Sequence, residues 1–201
     1  MNSTTLLKTN NGICQVPLET KLFSKRCISI SGEINEDLAI DFTNKLLELN
    51  SESDSPITVL INSMGGELNS GLLIYDSIIG SNALIRMICR GKAYSMAAVL
   101  FACAHERYML PNSELMLHQP LLGRSVSGNV SSIKSISDSM LETNAKINTI
   151  LAKHTGKTKE EIDIATSFDH YFLPNDAVGF NLCDEIIDFS KIIDFIKEEE
   201  W

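Results

Sequence analysis

Runs of branched apolar residues, each about as long as a strand, alternate with segments of helical periodicity in the first half of the chain. Ile57–Ile61 is one such run, and Cys27–Ile30 and Leu84–Cys89 are others. Strands with few polar residues are typical of parallel sheets, which are covered on both faces. Each run is followed by a segment in which apolar residues recur every three or four positions. The alternation predicts an α/β fold in which helices flank a mostly parallel sheet.

A later segment of helical periodicity, 130–153, is longer than the others. Gly156 is suited to ending this helix, and Thr158 with Glu161 has the pattern of a capping box that starts the next one. The periodicity leaves open whether the long helix covers the sheet or projects toward a partner.

The composition indicates one globular domain. The chain has 201 residues, 44% of them hydrophobic, and we expect a single domain over 13–201 after a mobile polar arm over 1–12. The net charge of −9 disfavours a nucleic-acid partner. No apolar run is long enough for a membrane span and the first residues do not resemble a signal peptide, so we expect no membrane association and a cytoplasmic location. The five cysteines show no CxxC spacing, and neither metal nor cofactor is expected.

Ser95 lies where a glycine-containing turn leads into an apolar helix. Serine at a helix start commonly caps the backbone. The position also suits a nucleophile, because the unpaired N–H groups and the positive end of the helix dipole can stabilise a negative charge beside the hydroxyl. The local sequence leaves both interpretations open.

A nucleophilic serine needs a base and a carboxylate that orients the base. Among the four histidines, His118 is best placed, because it ends a short apolar strand where the sites of α/β proteins collect. We interpret His105 and His154 as structural or surface residues, and His170 as a competitor of His118. Asp169 is flanked by aromatic residues, which predicts a partly buried carboxylate in need of a polar partner such as an imidazole.

Two adjacent glycines, Gly65 and Gly66, follow one strand and precede a helix. Glycines at such a turn let backbone N–H groups approach a ligand closely. The surrounding sequence does not form a phosphate-binding loop, and an ordinary connection between strand and helix is the alternative.

Taken together, ordered segments between about Leu22 and Ile187 resemble the ClpP family, the proteolytic subunits of ATP-dependent Clp proteases. The matching segments are Ile61–Gly66, Gly71 with Ile74–Asp76, Gly91–Met96, Leu110–Ser113, Met116–Pro120, His154–Gly156, and Asp169 with Phe172 and Ala177. The resemblance implies a ClpP/crotonase-like fold of repeated β-β-α units, with 121–155 as a handle region whose helix protrudes.

The resemblance also implies a serine endopeptidase that hydrolyses unfolded polypeptides through an acyl-enzyme. In this interpretation Ser95 is the nucleophile, His118 the general base and acid, and Asp169 the residue that orients the histidine. The other implied site residues are Gly66 and Met96, whose backbone N–H groups bind the oxyanion, and Leu68 and Leu121, which bind substrate. Crotonase-like acyl-CoA enzymes share the architecture but do not use this triad, and they form a different candidate class.

Family members assemble into heptameric rings that stack as a tetradecamer, and AAA+ Clp ATPase unfoldases feed polypeptides into the chamber. The resemblance implies the same partners here, with residues 1–12 as axial loops. Ser167–Phe168 replaces an acidic–arginine pair that couples the rings, and Thr58, Leu60 and Gly80 replace aromatic residues that grip the unfoldase. These departures suggest an alternative to the favoured serine endopeptidase, namely a catalytically silent or regulatory ring subunit that works with an active ClpP paralogue.

Overall fold

The computed structural model describes residues 3–9, 12–123 and 127–197. In chain order the strands are β1 (Thr4–Thr9), β2 (Gly12–Pro17), β3 (Cys27–Ile34), β4 (Ile57–Gly66), β5 (Ile85–Tyr94), β6 (Glu106–Met109), β7 (Glu114–Leu117), β8 (His170–Phe172) and β9 (Glu185–Ile186). The helices are α1 (Leu18–Phe23), α2 (Glu36–Glu52), α3 (Leu68–Ile79), α4 (Met96–Ala102), α5 (Val130–Thr155), α6 (Lys159–Thr166), α7 (Pro174–Gly179) and α8 (Phe189–Lys197). The predicted alternation of strands and helices is confirmed from β3 to α4.

Strands β3, β4, β5, β6 and β9 pair in that order, and every pairing along this path is parallel. Strand β5 changes its neighbour along its length: its first part pairs with β6, and Lys92–Tyr94 pairs with β7. Strand β8 adds to β7 in the antiparallel direction. The predicted fold class, a mostly parallel sheet flanked by helices, is confirmed.

The sheet is buried on both faces, which explains the continuous apolar runs. Val59 and Ile61 belong to the main core, whereas Leu60 between them belongs to a second apolar cluster. Helix α8 covers this second cluster with Ile192 and Phe195. Helix α4 is buried along its whole length in the main core, so the packing of the core fixes the position of the residue just before it.

Helix α5 both covers the core and extends beyond it, which answers the question that its periodicity left open. Ile147, Ile150 and Leu151 in its C-terminal part are buried, whereas Val130 at its start is 83% exposed. The helix ends at Gly156, which has φ of 69°. Glycine adopts this left-handed conformation without a steric penalty.

Two strands pair in the N-terminal segment. Strand β1 pairs with β2 in the antiparallel direction, and the hydrogen bond from Leu18 N to Ser3 O continues the pairing. The expected boundary between residues 12 and 13 therefore falls at the start of β2, and residues 1, 2, 10 and 11 of the expected arm lie outside the described residues. Among the described helices, none combines the length and apolar character that crossing a membrane requires.

Candidate active site

Ser95 joins β5 to α4 through a strained turn. Its backbone has φ of 54° and ψ of −125°, a conformation that residues other than glycine rarely adopt. Ser95 occupies the N-cap position, but its hydroxyl makes no capping hydrogen bond to α4. The side chain is therefore left available for a contact outside the helix.

That contact is made with His118. The Nε2 atom of His118 lies 2.7 Å from the Oγ atom of Ser95. Pairing of β5 with β7 brings the two residues together, since Ser95 N donates to Met116 O at 2.8 Å. The histidine side chain is 13% exposed, so packing restricts the orientation of the ring.

Asp169 approaches the other nitrogen of the same ring. Its Oδ1 atom lies 3.3 Å from His118 Nδ1. Leu117 on β7 stands opposite His170 on β8, so the antiparallel register continues directly to His118 and Asp169. Three residues distant in sequence thus form a connected line from hydroxyl to imidazole to carboxylate.

The prediction of a partly buried Asp169 is wrong. The Asp169 side chain is 60% exposed, and Phe168 beside it is 84% exposed. Phe168 and Asp169 lie just before the short edge strand β8, where both side chains are open to solvent in a single copy of the chain, so the aromatic neighbours do not enclose the carboxylate.

Gly65 and Gly66 are the last two residues of β4, here called the glycine turn, and Gly65 packs directly against the backbone around Ser95. A Cβ atom on Gly65 would lie 2.9 Å from Ser95 Cβ and 3.1 Å from Met96 N, and Gly65 has φ of 91°. Both the space and the backbone conformation therefore require glycine. The buried Ser63 hydroxyl holds this turn, donating to Gly32 O at 2.6 Å and accepting from Gly65 N at 3.0 Å.

The two leucines that were expected to bind substrate differ in their exposure to solvent. Leu68 is the first residue of α3, directly after the glycine turn, and packs partly buried against the core. Leu121 comes three residues after His118 and is 76% exposed. A side chain so open to solvent is free to contact a ligand.

The other histidines lie outside this arrangement. His105 Nδ1 accepts a hydrogen bond from Ile85 N at 3.0 Å, and His154 Nε2 lies 3.2 Å from the Tyr75 hydroxyl. Their interpretation as structural residues is confirmed. His170 stacks on Phe172, with ring centroids 4.2 Å apart, and is not the ring that contacts Ser95.

His154 is expected to make the fold less stable in acid. Its pKa is lowered from 6.5, first by burial and then by Lys153 and Arg107. Below pH 6.5 the unfolded chain therefore takes up this proton more readily than the folded one, and stability falls until the pH passes the folded-state pKa. Urea unfolding between pH 7.5 and 5 should show a shallower loss of stability for His154→Gln than for the original protein. An identical pH slope in the two proteins would contradict this assignment.

A polar contact next to Ser95 was not predicted from the sequence. The Tyr94 hydroxyl donates to Glu114 Oε1, and this bond is the largest cause that raises the pKa of Tyr94 to about 12. The edge of the Tyr94 ring meets Tyr171, with centroids 5.8 Å apart. The alternation of side chains along β5 and β7 could have indicated this contact, since every second residue of paired strands lies on the same face.

Four cysteines, Cys27, Cys89, Cys103 and Cys183, are buried free thiols. Burial raises the pKa of Cys103 to about 12, which keeps it protonated and unreactive. Across 3–9, 12–123 and 127–197, no three His, Cys, Asp or Glu side chains group closely enough to hold a metal ion.

The fold and this geometry define an α/β protein with a serine–histidine–aspartate line, in which Ser95 and His118 follow the parallel strands β5 and β7 and Asp169 precedes the antiparallel strand β8. Residues 12–190 match the family model described as Clp protease. The chain belongs to the Clp protease family, as its resemblance predicted. Membership supports a ClpP-like peptidase.

Proposed function

We propose that the protein is a serine endopeptidase that cleaves unfolded polypeptides through an acyl-enzyme. The observation that carries this proposal is the 2.7 Å distance between Ser95 Oγ and His118 Nε2. At this distance a neutral imidazole can accept the hydroxyl proton as the oxygen attacks a peptide carbonyl. The strained turn supports the assignment, because nucleophilic serines commonly sit on a tight turn from strand to helix.

Attack on the carbonyl places negative charge on its oxygen. The backbone N–H groups of Gly66 and Met96 are the proposed donors to this oxyanion. The close packing of the glycine turn against Met96 N supports a shared binding position for the oxygen. Loss of one such donor typically costs about 3 kcal/mol of transition-state stabilisation.

His118 then donates its proton to the leaving amine, and the acyl group remains on Ser95. A water molecule attacks the ester with the same histidine as base, which regenerates the serine. Asp169 is the proposed orienting group, since its carboxylate faces the second ring nitrogen of His118. An extended substrate segment would lie between Leu68 and Leu121 and form backbone hydrogen bonds with the protein.

The proposed assembly is a pair of stacked heptameric rings built from copies of this chain. Large apolar side chains are exposed on α5 (Val130 and Leu141), on α6 (Ile164) and beside Asp169 (Phe168). The proposed assembly would remove such side chains from water, which is favourable. A AAA+ Clp ATPase unfoldase and a ClpP paralogue are the further proposed partners, and the cytoplasm is the proposed location.

A direct assay separates the candidate functions. Purified protein of measured native mass is incubated with a short fluorogenic peptide and, separately, with an acyl-CoA thioester. We expect ring-sized particles that cleave the peptide and leave the thioester unchanged. Correctly assembled rings without peptidase activity would favour a silent subunit, whereas thioester turnover alone would favour a crotonase-like enzyme.

A further inference from the structure

Lys92 lies on the sheet face next to the candidate nucleophile. Strand pairing sets Lys92 opposite Glu114 and Tyr94 opposite Met116. Because side chains of paired residues point the same way, these four residues share one face of β5 and β7. Lys92 and Ser95 are three residues apart, which in an extended chain corresponds to roughly 10 Å.

Two depressions meet at Lys92. One, of about 490 Å³, is lined by Glu33, Met64, the glycine turn and, at its border, Asn62 and Lys92. The other, of about 640 Å³, starts from the same asparagine and lysine and continues along Tyr94 and Glu114. Together they form a groove, here called the Lys92 groove, that begins at the turn touching Ser95 and passes the lysine.

Among the described residues that line this groove, Lys92 is the one cation, and Glu33 and Glu114 are the carboxylates. Among the residues that the structure describes, no carboxylate lies within salt-bridge distance of the half-buried Lys92 ammonium. The ring centroid of Tyr94 is 5.9 Å from the Lys92 Nζ atom. Glu114 already accepts the hydrogen bond from Tyr94, and Glu33 is exposed to solvent. A half-buried charge is screened less than an exposed one, so Lys92 dominates the local attraction for an anion.

We propose that the Lys92 groove is a substrate subsite that selects an acidic side chain within about three residues of the cleaved bond. This inference rests on the proposed peptidase function and adds a substrate preference to it. An aspartate or glutamate of the bound polypeptide would place its carboxylate against the Lys92 ammonium. Glu33 and Glu114 on either side would repel acidic residues at neighbouring positions, which narrows the preference to one position.

Cleavage profiling tests this proposal. A mixed peptide library is digested by the assembled protein, and the cleaved bonds are identified by mass spectrometry. The original protein should enrich acidic residues at one position within three residues of the cut. Lys92→Gln should reduce this enrichment by about tenfold, and Lys92→Glu should replace it with enrichment of basic residues.

Lys157→Gln is the matched control, because Lys157 is also partly buried but lies outside the groove, where it pairs with Glu161. It should retain the original profile and cleave a neutral peptide at the original rate. Identical profiles for the original protein and both Lys92 variants would overturn the subsite while leaving the peptidase intact. If the original protein cleaves no peptide and reacts with no serine probe, the proposed function fails and the subsite fails with it.

Discussion

Ser95→Ala is expected to reduce peptide hydrolysis by about five to six orders of magnitude. The substitution removes the only atom in the proposed mechanism that bonds to the substrate acyl group, and the His118 imidazole is left without a hydroxyl to activate. Since the Ser95 side chain makes no capping bond, the stability of α4 should change little. Steady-state cleavage of a fluorogenic peptide measures the first effect, and thermal unfolding measures the second.

Ser77→Ala serves as the control for this substitution. The Ser77 hydroxyl bonds only within its own helix, donating to Ile74 O at 2.7 Å, so activity should remain within about twofold. Full activity of an assembly in which every copy of this chain carries Ser95→Ala would contradict catalysis by Ser95. If that assembly includes an active paralogue, the contribution of this chain would be structural.

Gly65→Ala is expected to lower activity by about two to three orders of magnitude, comparable to the loss of an oxyanion donor. The new methyl group would lie 2.7 Å from Tyr94 O and 2.9 Å from Ser95 Cβ, and alanine is strained at φ of 91°. The glycine turn must therefore move away from Ser95, and the proposed donors move with it. The displacement is measured by the peptidase activity and by the rate of fluorophosphonate labelling. Both are determined on variant protein that is shown to assemble.

Gly179→Ala is the matched control, because a Cβ atom there meets no atom within 4 Å and the backbone conformation is ordinary. Its activity should equal that of the original protein. An assembled Gly65→Ala protein with full activity would show that the position of the turn does not matter for the chemistry.

The sequence predicts the order of elements well because local signals agree with the final packing. The run Ile57–Ile61 is buried on both faces, as continuous apolar strands usually are. Asn35, whose side chain accepts from Leu38 N at 3.0 Å, caps the start of α2, as asparagine commonly does at a helix start. Strand ends are less predictable, since β4 and β5 continue into glycine-containing segments whose pairing depends on neighbouring strands.

In the candidate site, too, some features follow from local sequence and others depend on contacts between distant strands. Ser95 and His118 stand at the ends of strands that the sequence already indicates, and resemblance to a family pairs them with Asp169. The bond between Tyr94 and Glu114 depends on how β5 pairs with β7, and the exposure of Asp169 depends on how β7 and β8 meet at the sheet edge. Contacts of this kind arise from tertiary register, which local periodicity does not encode.

Covalent labelling by a fluorophosphonate tests the central claim most directly. The probe phosphonylates a serine whose hydroxyl is activated by a neighbouring base, and peptide mapping by mass spectrometry identifies the modified residue. We predict one adduct per chain, on Ser95, and loss of that adduct in His118→Ala. Folded, assembled protein that remains unmodified, or that carries its adduct on another residue, would contradict the account.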